Sequence, residues 1–211
     1  MNNFLIGIDE AGRGPVLGPM VMAICVIPQN QKTWLNKNGI TDSKKLSSKK
    51  RDFLAKEIKQ RFWYKIFEIC PDEIDKAVNN IDLNLNGLEI IYIAKLIKEY
   101  QAQFNDRDNL ITIDSLLRDT DKLTFLLKSK TNHNNILSQN KADEIYQHVG
   151  AASIIAKSRR EEILKNLRDD TGIDFGSGYP SDPKTKQYVV QAQENDPLIR
   201  WTWKTCSKLR K

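Results

Sequence analysis

The stretch FLIGIDEAGRGPVLGP, residues 4–19, joins a short apolar segment to two adjacent carboxylates and a turn rich in glycine and proline. Residues 4–9 are short, apolar and followed by glycines, a pattern that predicts a buried β-strand ending at a turn. Asp9 and Glu10 stand at the carboxyl end of that strand. Two neighbouring carboxylates at this position suit a bound cation better than a bare phosphate, which they would repel.

The turn itself does not fit the two common phosphate-binding loops. Its glycines are spaced G-x-G-x-x-x-G, whereas the dinucleotide-binding turn has G-x-G-x-x-G. Pro15 and Pro19 prevent a helix from running through the turn, so no helix N-terminus is available to hold a pyrophosphate. The motif GxxxxGK[ST] does not occur in the chain. A nucleotide-binding enzyme is therefore the weaker alternative. Measured binding of ATP or NAD would support it.

Two further acids stand at the ends of predicted elements. Asp114 ends a predicted strand at 109–114, and Asp143 follows a predicted strand at 134–140, at the start of a helix that we expect to begin at Lys141. With the first two acids they make four carboxylates, hard ligands that suit Mg²⁺ or Mn²⁺. Each acid also has an ordinary structural explanation, such as a turn or the first turn of a helix. The pattern alone leaves both interpretations open.

Composition limits the class of protein. The 211 residues suggest one domain that buries a core of its own, and the net charge of +6 favours an anionic partner, with nucleic acid first. Three distant cysteines and two histidines exclude the usual zinc spacings and predict reduced thiols. No apolar run reaches the roughly 18 residues of a membrane span, and no signal peptide is recognisable. We expect a monomeric cytoplasmic protein with no membrane association.

Hydrophobic periodicity predicts an α/β domain built around one mixed sheet flanked by helices, with a C-terminal helical extension. Residues 1–168 would form the core, and residues 169–211 a loop and helical extension of the same domain. Asn86 and Glu89 resemble a capping box at the start of an amphipathic helix. The predicted strands are 4–9, 21–27, 63–70, 109–114 and 134–140, and the predicted helices are 48–62, 71–78, 88–100, 119–130, 141–167 and 183–194.

Six motifs, in order along nearly the whole chain, resemble those of ribonuclease HII, the type 2 ribonucleases H, in its archaeal-like branch. They are GIDEAGRGPVLGPMV at 7–21, DSKKL at 42–46, IDS at 113–115, NKADEIYQHVGAASIIAKSRRE at 140–161, GSGYPSDPKT at 176–185 and WTWKT at 201–205. The resemblance implies a ribonuclease-H-like fold. It also implies an endonuclease that cuts the RNA strand of RNA–DNA hybrids and ribonucleotides embedded in duplex DNA.

The resemblance assigns roles to individual residues. Four acids would bind two divalent ions, Mg²⁺ or Mn²⁺, and carry the catalysis: Asp9, Glu10, Asp114 and Asp143. Gly12, Arg13 and Gly14 would contact the ribose 2′-hydroxyl and the neighbouring phosphate, and Tyr179 would sense the junction. From the residues themselves, the alternative for Tyr179 is a loop anchor. Basic groups such as Lys44, Lys157 and Arg160 would position the strand, although a solvated surface charge is the plainer explanation for any one of them.

The expected chemistry is hydrolysis at a pair of ions roughly 3.5–4 Å apart, which leaves 5′-phosphate and 3′-hydroxyl ends. Two features depart from the family pattern. Glu161 stands where an aspartate is common, which we expect to affect helix packing, and the segment 118–135 matches no family motif. A clamp-binding tail is not recognisable before Lys211, so a sliding-clamp partner is doubtful. The rival hypothesis is a non-catalytic hybrid-binding protein, which a cleavage assay with and without EDTA distinguishes.

Overall fold

The computed structural model describes residues 4–40 and 46–210. Within them the strands are β1 (Phe4–Ala11), β2 (Met20–Pro28), β3 (Trp63–Ile69), β4 (Ile111–Asp114) and β5 (Ile136–Gln139). The helices are α1 (Lys32–Lys37), α2 (Ser48–Arg61), α3 (Pro71–Asn79), α4 (Leu85–Phe104), α5 (Thr120–Thr131), α6 (Ala142–Ile145), α7 (Gln147–Thr171), α8 (Pro183–Gln191) and α9 (Lys204–Leu209). None of the helices in these residues is both long and apolar enough to cross a bilayer.

The strands form one mixed sheet in the order β3-β2-β1-β4-β5. β1, β2 and β3 pair antiparallel, whereas β1 pairs with β4, and β4 with β5, in parallel. Ile8 lies opposite Ile113 in the parallel register, so the residues that follow them, Asp9 and Asp114, come to the same end of the sheet. The prediction of a mixed sheet flanked by helices is confirmed.

Each face of the sheet buries its own apolar cluster. Ile6 and Ile8 of β1 pack with α4 and α5 on one face, and Ala23 and Cys25 of β2 pack with α2 and α7 on the other. Each fully buried isoleucine contributes about 1.5–3 kcal/mol of hydrophobic stabilisation. The sheet is therefore held from both sides, and its carboxyl-end acids stand on a rigid platform.

Helix α7 approaches β1 so closely that a side chain would not fit between them. A Cβ at Gly7 would lie 2.2 Å from the carbonyl oxygen of His148, and one at Gly150 would lie 2.6 Å from the carbonyl oxygen of Ile40. Gly7 thus allows α7 to pack closely on β1, and Gly150 allows α7 to pack closely on the segment at Ile40.

A third cluster joins the C-terminal segment to the glycine-rich turn. Val16 and Leu17 of the turn pack against Phe175, Val189 and Ile199. Leu17 also forms an isolated antiparallel bridge with Ile199. The C-terminal segment therefore packs directly on the turn that follows β1. The division at residue 168 stays a prediction, and it falls within α7.

Two local predictions differ from the structure, and two short helices were not predicted. The N-cap of α4 is Asn84, which accepts from the Gly87 amide over 3.0 Å, so the capping box at Asn86 and Glu89 is wrong. The helix predicted from Lys141 is two helices, because the extended backbone of Tyr146 (φ −111°, ψ 116°) separates α6 from α7. Helices α1 and α9 were not predicted, since each has only six residues, too few to display a period, and they bury only Leu35 and Cys206.

Candidate active site

Three acids converge at the carboxyl end of the parallel strands. Asp9 comes from β1, Asp114 from the end of β4 and Asp143 from α6. One carboxylate oxygen of each lies within 4.8 Å of the others. Asp9 and Asp143 are buried, and Asp114 is half-buried. We call this group the acid cluster.

Hydrogen bonds fix the acid cluster to the backbone around it. Oδ1 of Asp114 accepts from the Ala142 amide over 2.8 Å, which ties the first residue of α6 to β4 and brings Asp143 beside Asp114. Oδ1 of Asp9 accepts from the Glu10 amide over 2.8 Å. Lys157 of α7 places its Nζ 3.8 Å from Oδ2 of Asp143. The cluster is therefore preorganised by contacts among four elements, β1, β4, α6 and α7.

The electrostatics of the acid cluster favour a cation. Burial, and then the charge of Asp114, raise the pKa of Asp9 to about 7, while a hydrogen bond with Ser153 and the charge of Lys157 oppose the rise. Carboxylates in such a place repel one another, and a divalent cation removes that repulsion. Carboxylate oxygens are also the ligands that Mg²⁺ and Mn²⁺ prefer. The donor set thus fits a divalent ion of this kind.

Glu10 lies beside the acid cluster without belonging to it. Burial raises its pKa well above the usual value, and the charges of Asp9, Glu89 and Asp114 add to the rise, whereas Arg13 lowers it. Glu10 also lines the neighbouring cleft. Its role as the fourth ligand stays a prediction.

A cleft of about 370 Å³ opens next to the acid cluster. It brings Glu10 and the predicted Gly-Arg-Gly turn (residues 12–14) together with Tyr179, which lies far from them in the chain. Lys44 falls outside the described residues. The cleft is lined by Glu10, Ala11, Gly12, Arg13, Gly14, Arg51, Lys157, Arg160, Glu161 and Tyr179.

Both the backbone conformation at position 12 and the neighbouring Arg160 side chain require a glycine there. Its φ of +82° lies in the left-handed region, and a Cβ there would stand 2.4 Å from Cδ of Arg160. Gly14 differs, because a Cβ there would meet no atom within 4 Å. The first glycine is thus needed for the fold of the turn, and the second leaves open space at the cleft.

Two buried arginines, Arg160 and Arg200, bind the turn from inside, a role that the sequence did not indicate for either of them. Arg200 is fully buried and donates to the carbonyl oxygens of Gly12 over 2.6 Å, Arg13 over 3.1 Å and Gly18 over 2.9 Å. Its pKa falls to about 9, chiefly because burial disfavours its charge. The turn belongs to neither helix nor sheet, so its buried carbonyl groups need such donors.

Arg160, which lies in α7, also donates hydrogen bonds to carbonyl groups of the turn. It is buried and donates to the carbonyl oxygens of Leu17 over 3.1 Å and Pro19 over 3.3 Å. Arg160 is therefore not a solvated surface charge, although it lines the cleft, and its role in positioning a strand stays a prediction. A strongly basic sequence offers many arginines, and only the fold indicates which of them are buried against a turn.

Tyr179 lies at the edge of the cleft, with 45% of its surface exposed. The Arg160 guanidinium stands 5.6 Å from the ring centroid of Tyr179. The preceding residue, Gly178, accepts from the Val16 amide over 2.8 Å and donates to Thr185 over 3.0 Å, so the loop is tied to the turn. Gly178 and its neighbours therefore anchor the loop, and the tyrosine ring remains accessible.

Glu161 forms an ion pair with Arg51 at the rim of the cleft. The pair joins α7 to α2. The residue that departs from the family pattern therefore links two helices, which agrees with the expected effect on helix packing.

A mixed sheet of this topology, with acids from β1, β4 and α6 at one end, defines the class of ribonuclease-H-like, metal-dependent nucleases. A family model described as Ribonuclease HII matches residues 6–206. The chain belongs to the ribonuclease HII family and is a metal-dependent hydrolytic ribonuclease. Membership of this family supports ribonuclease H endonuclease activity on RNA–DNA hybrids.

The chain is similar to archaeal relatives over almost its full length. Ribonuclease HII of Methanocaldococcus jannaschii is 38% identical, with 97% of this chain and 94% of the relative covered. The crystal structure of ribonuclease H2 from Pyrococcus horikoshii has a TM-score of 0.84 at 32% identity, covering 98% of this chain and 96% of that one. Ribonuclease HII of Archaeoglobus fulgidus, solved in complex with PCNA, has a TM-score of 0.83 at 33% identity and the same coverages.

Proposed function

We propose that the enzyme cuts both the RNA strand of RNA–DNA hybrids and single ribonucleotides embedded in duplex DNA. Hydrolysis would use two divalent ions and leave 5′-phosphate and 3′-hydroxyl ends. The observation that carries the proposal is the position of the acid cluster beside a cleft lined by the Gly-Arg-Gly turn and Tyr179. An enzyme that cuts next to a ribose needs both the acid cluster and the residues of the cleft within reach of one nucleotide.

The acid cluster would hold the metal, with Glu10 as a further ligand. Its oxygens lie close enough to share an ion, and the raised pKa of Asp9 reflects the burial and repulsion that a cation offsets. Bound Mg²⁺ or Mn²⁺ would supply an activated water near neutral pH and neutralise charge at the scissile phosphate and leaving oxygen. The rest of the chemistry depends on how the chain presents the substrate to these acids.

The Gly-Arg-Gly turn would recognise the ribose. The 2′-hydroxyl separates RNA from DNA at a given position, and main-chain groups reach it best where no side chain intervenes. Gly14 is exposed with open space around it, and Arg13 keeps 41% of its side chain exposed. Arg13 would therefore bind the adjacent phosphate, and the accessible ring of Tyr179 would stack on the neighbouring sugar or base.

The proposed substrates are RNA–DNA hybrids and ribonucleotide-containing duplex DNA. A cytoplasmic location and a monomeric state stay predictions. The Archaeoglobus relative was solved with PCNA, so the doubt about a sliding clamp, based on the chain's last residues, is not settled.

Digestion of a duplex that contains one ribonucleotide tests the proposal, with the cut position and end groups mapped. We expect a single cut beside the ribonucleotide, 5′-phosphate and 3′-hydroxyl ends, and no cutting in EDTA. The same DNA without the ribonucleotide is the control and should stay intact. Cutting of long hybrids alone would refute the embedded-ribonucleotide activity, and binding of hybrids without cutting would favour the rival hypothesis of a non-catalytic binding protein.

A further inference from the structure

Two residues of α4 hold the arginine of the Gly-Arg-Gly turn. Nε of Arg13 donates to Oε1 of Glu89 over 2.9 Å, and its Nη2 donates to Oδ1 of Asn86 over 2.6 Å. Asn86 and Glu89 are three positions apart, so they share one face of the helix. One edge of the guanidinium is thus divided between a carboxylate and an amide, although a single carboxylate could have bound both of its donors.

Burial of the Glu89 carboxylate opposes the stability of the fold. Its side chain is fully buried, and among the described residues its Oε2 has no hydrogen-bond partner. A buried carboxylate needs compensation, and such an ion pair rarely stabilises a fold more than apolar residues of similar size would. The position of Glu89 is therefore better explained by what it does to Arg13 than by stability.

The contacts with α4 leave Arg13 usable. The Arg13 side chain is 41% exposed and lines the cleft beside Glu10, so it is reached from the cleft while one edge is held. An arginine that is already oriented loses less side-chain entropy when it binds a phosphate. A freely rotating arginine at the same position would bind the phosphate more weakly.

We propose that Asn86 and Glu89 are positioning residues that orient Arg13 toward the phosphate next to the ribonucleotide. This inference rests on the proposed function and deepens it, because it assigns part of substrate binding to a helix that contributes no residue to the acid cluster. The two residues act on substrate affinity through Arg13, and neither belongs to the acid cluster.

Steady-state kinetics on a duplex with one ribonucleotide test the role of the acceptor. Glu89→Leu removes the acceptor and keeps the volume, so KM should rise about tenfold, the change expected for one charge-assisted hydrogen bond, with kcat within about twofold. Glu89→Gln keeps an acceptor oxygen, so its KM should stay within about threefold of the wild type. Equal losses in both variants, or a fall in kcat alone, would overturn the proposal.

A double-mutant cycle with Arg13→Ala separates positioning from a general effect on the fold. If Glu89 acts through Arg13, adding Glu89→Leu to Arg13→Ala should change KM less than twofold. A full tenfold effect in both backgrounds would refute the inference while leaving the proposed function intact. If Arg13→Ala alone left KM unchanged, that result would instead refute the proposed role of the Gly-Arg-Gly turn in substrate binding.

Circular dichroism melts show whether each variant folds. If Glu89→Leu does not fold, Asn86→Ala provides the same cycle, because Asn86 is only half-buried and its loss leaves no unpaired charge. Its KM should also rise, and the rise should vanish in the Arg13→Ala background. An Asn86→Ala variant with wild-type KM would count against the proposal.

Discussion

Nη2 of Arg200 donates a hydrogen bond to the carbonyl oxygen of Gly12 over 2.6 Å, and so joins the C-terminal segment to the turn beside the acid cluster. The same guanidinium serves the carbonyl groups of Arg13 and Gly18. The shape of the turn therefore depends on a residue near the far end of the chain. Since the turn lines the cleft, loss of this contact should affect both stability and cleavage.

Arg200→Met should destabilise the enzyme by about 3 kcal/mol, because it leaves buried carbonyl groups of the turn without donors. Urea denaturation measures the change in the free energy of unfolding. Lys208→Met, at an exposed position of α9, is the matched control and should stay within about 0.5 kcal/mol of the wild type. A cost below about 1 kcal/mol for Arg200→Met would contradict the role of these hydrogen bonds.

Gly12→Ala should cost about 2 kcal/mol or more, because the left-handed backbone and the contact with Arg160 both oppose a Cβ. Gly14→Ala is the internal control, since a Cβ there meets open space. Thermal melts of both variants measure the difference. Equal melting temperatures for Gly12→Ala and Gly14→Ala would show that neither the left-handed backbone nor the contact with Arg160 requires a glycine at position 12.

Asp9→Asn should abolish Mg²⁺-dependent cleavage and keep binding of the hybrid, because the amide is a poorer metal ligand while the cleft is unchanged. Cleavage and gel-shift assays on the same hybrid measure the two properties. Asp170→Asn, at an exposed position, is the control and should cut like the wild type. Wild-type cleavage by Asp9→Asn would remove this acid from the site.

Without metal, the stability of the enzyme should fall between about pH 4 and pH 7. The pKa of Asp9 rises from 3.8 to about 7 on folding, so in this range the unfolded chain has lost a proton that the folded enzyme retains. The unfolded state therefore gains in relative stability as the pH rises, until the folded carboxyl also ionises. Melts in EDTA across this range measure the effect.

The control for that pH dependence is Asp9→Asn, which has no titrating group at the position. Its melting temperature should vary less with pH, and at pH 8 in EDTA it should exceed that of the wild type. Added Mg²⁺ should recover stability in the wild type more than in the variant. Parallel pH curves for both proteins would mean that Asp9 is not the titrating group.

Tyr179→Ala should lower cleavage at a single embedded ribonucleotide about tenfold and change stability by less than about 1 kcal/mol, since the ring is 45% exposed and the loop is anchored elsewhere. Cleavage rates and urea denaturation measure the two effects. Tyr179→Phe keeps the stacking surface and should retain most of the activity. Unchanged cleavage by Tyr179→Ala would refute its role.

Much of the fold could be predicted because it depends on local patterns. The apolar run of β1 and the periodicities of α2 and α5 appear within single segments, so their positions were predicted to within a few residues. The start of α4 was not, because both Asn84 and Asn86 could cap it in the sequence, and the structure uses Asn84 as the cap and Asn86 as an acceptor for Arg13. Local spacing cannot separate a cap from a long-range acceptor.

By itself the sequence determined the order of the strands and of the longer helices, the acids at strand ends and the family motifs, since each is a pattern of neighbouring residues. Only the tertiary structure decided that Asp9, Asp114 and Asp143 share one point, and that Arg160 and Arg200 are buried donors for the turn. The physical reason is that these contacts join residues far apart in the chain. Their geometry comes from strand pairing and from the packing of α7 and the C-terminal segment.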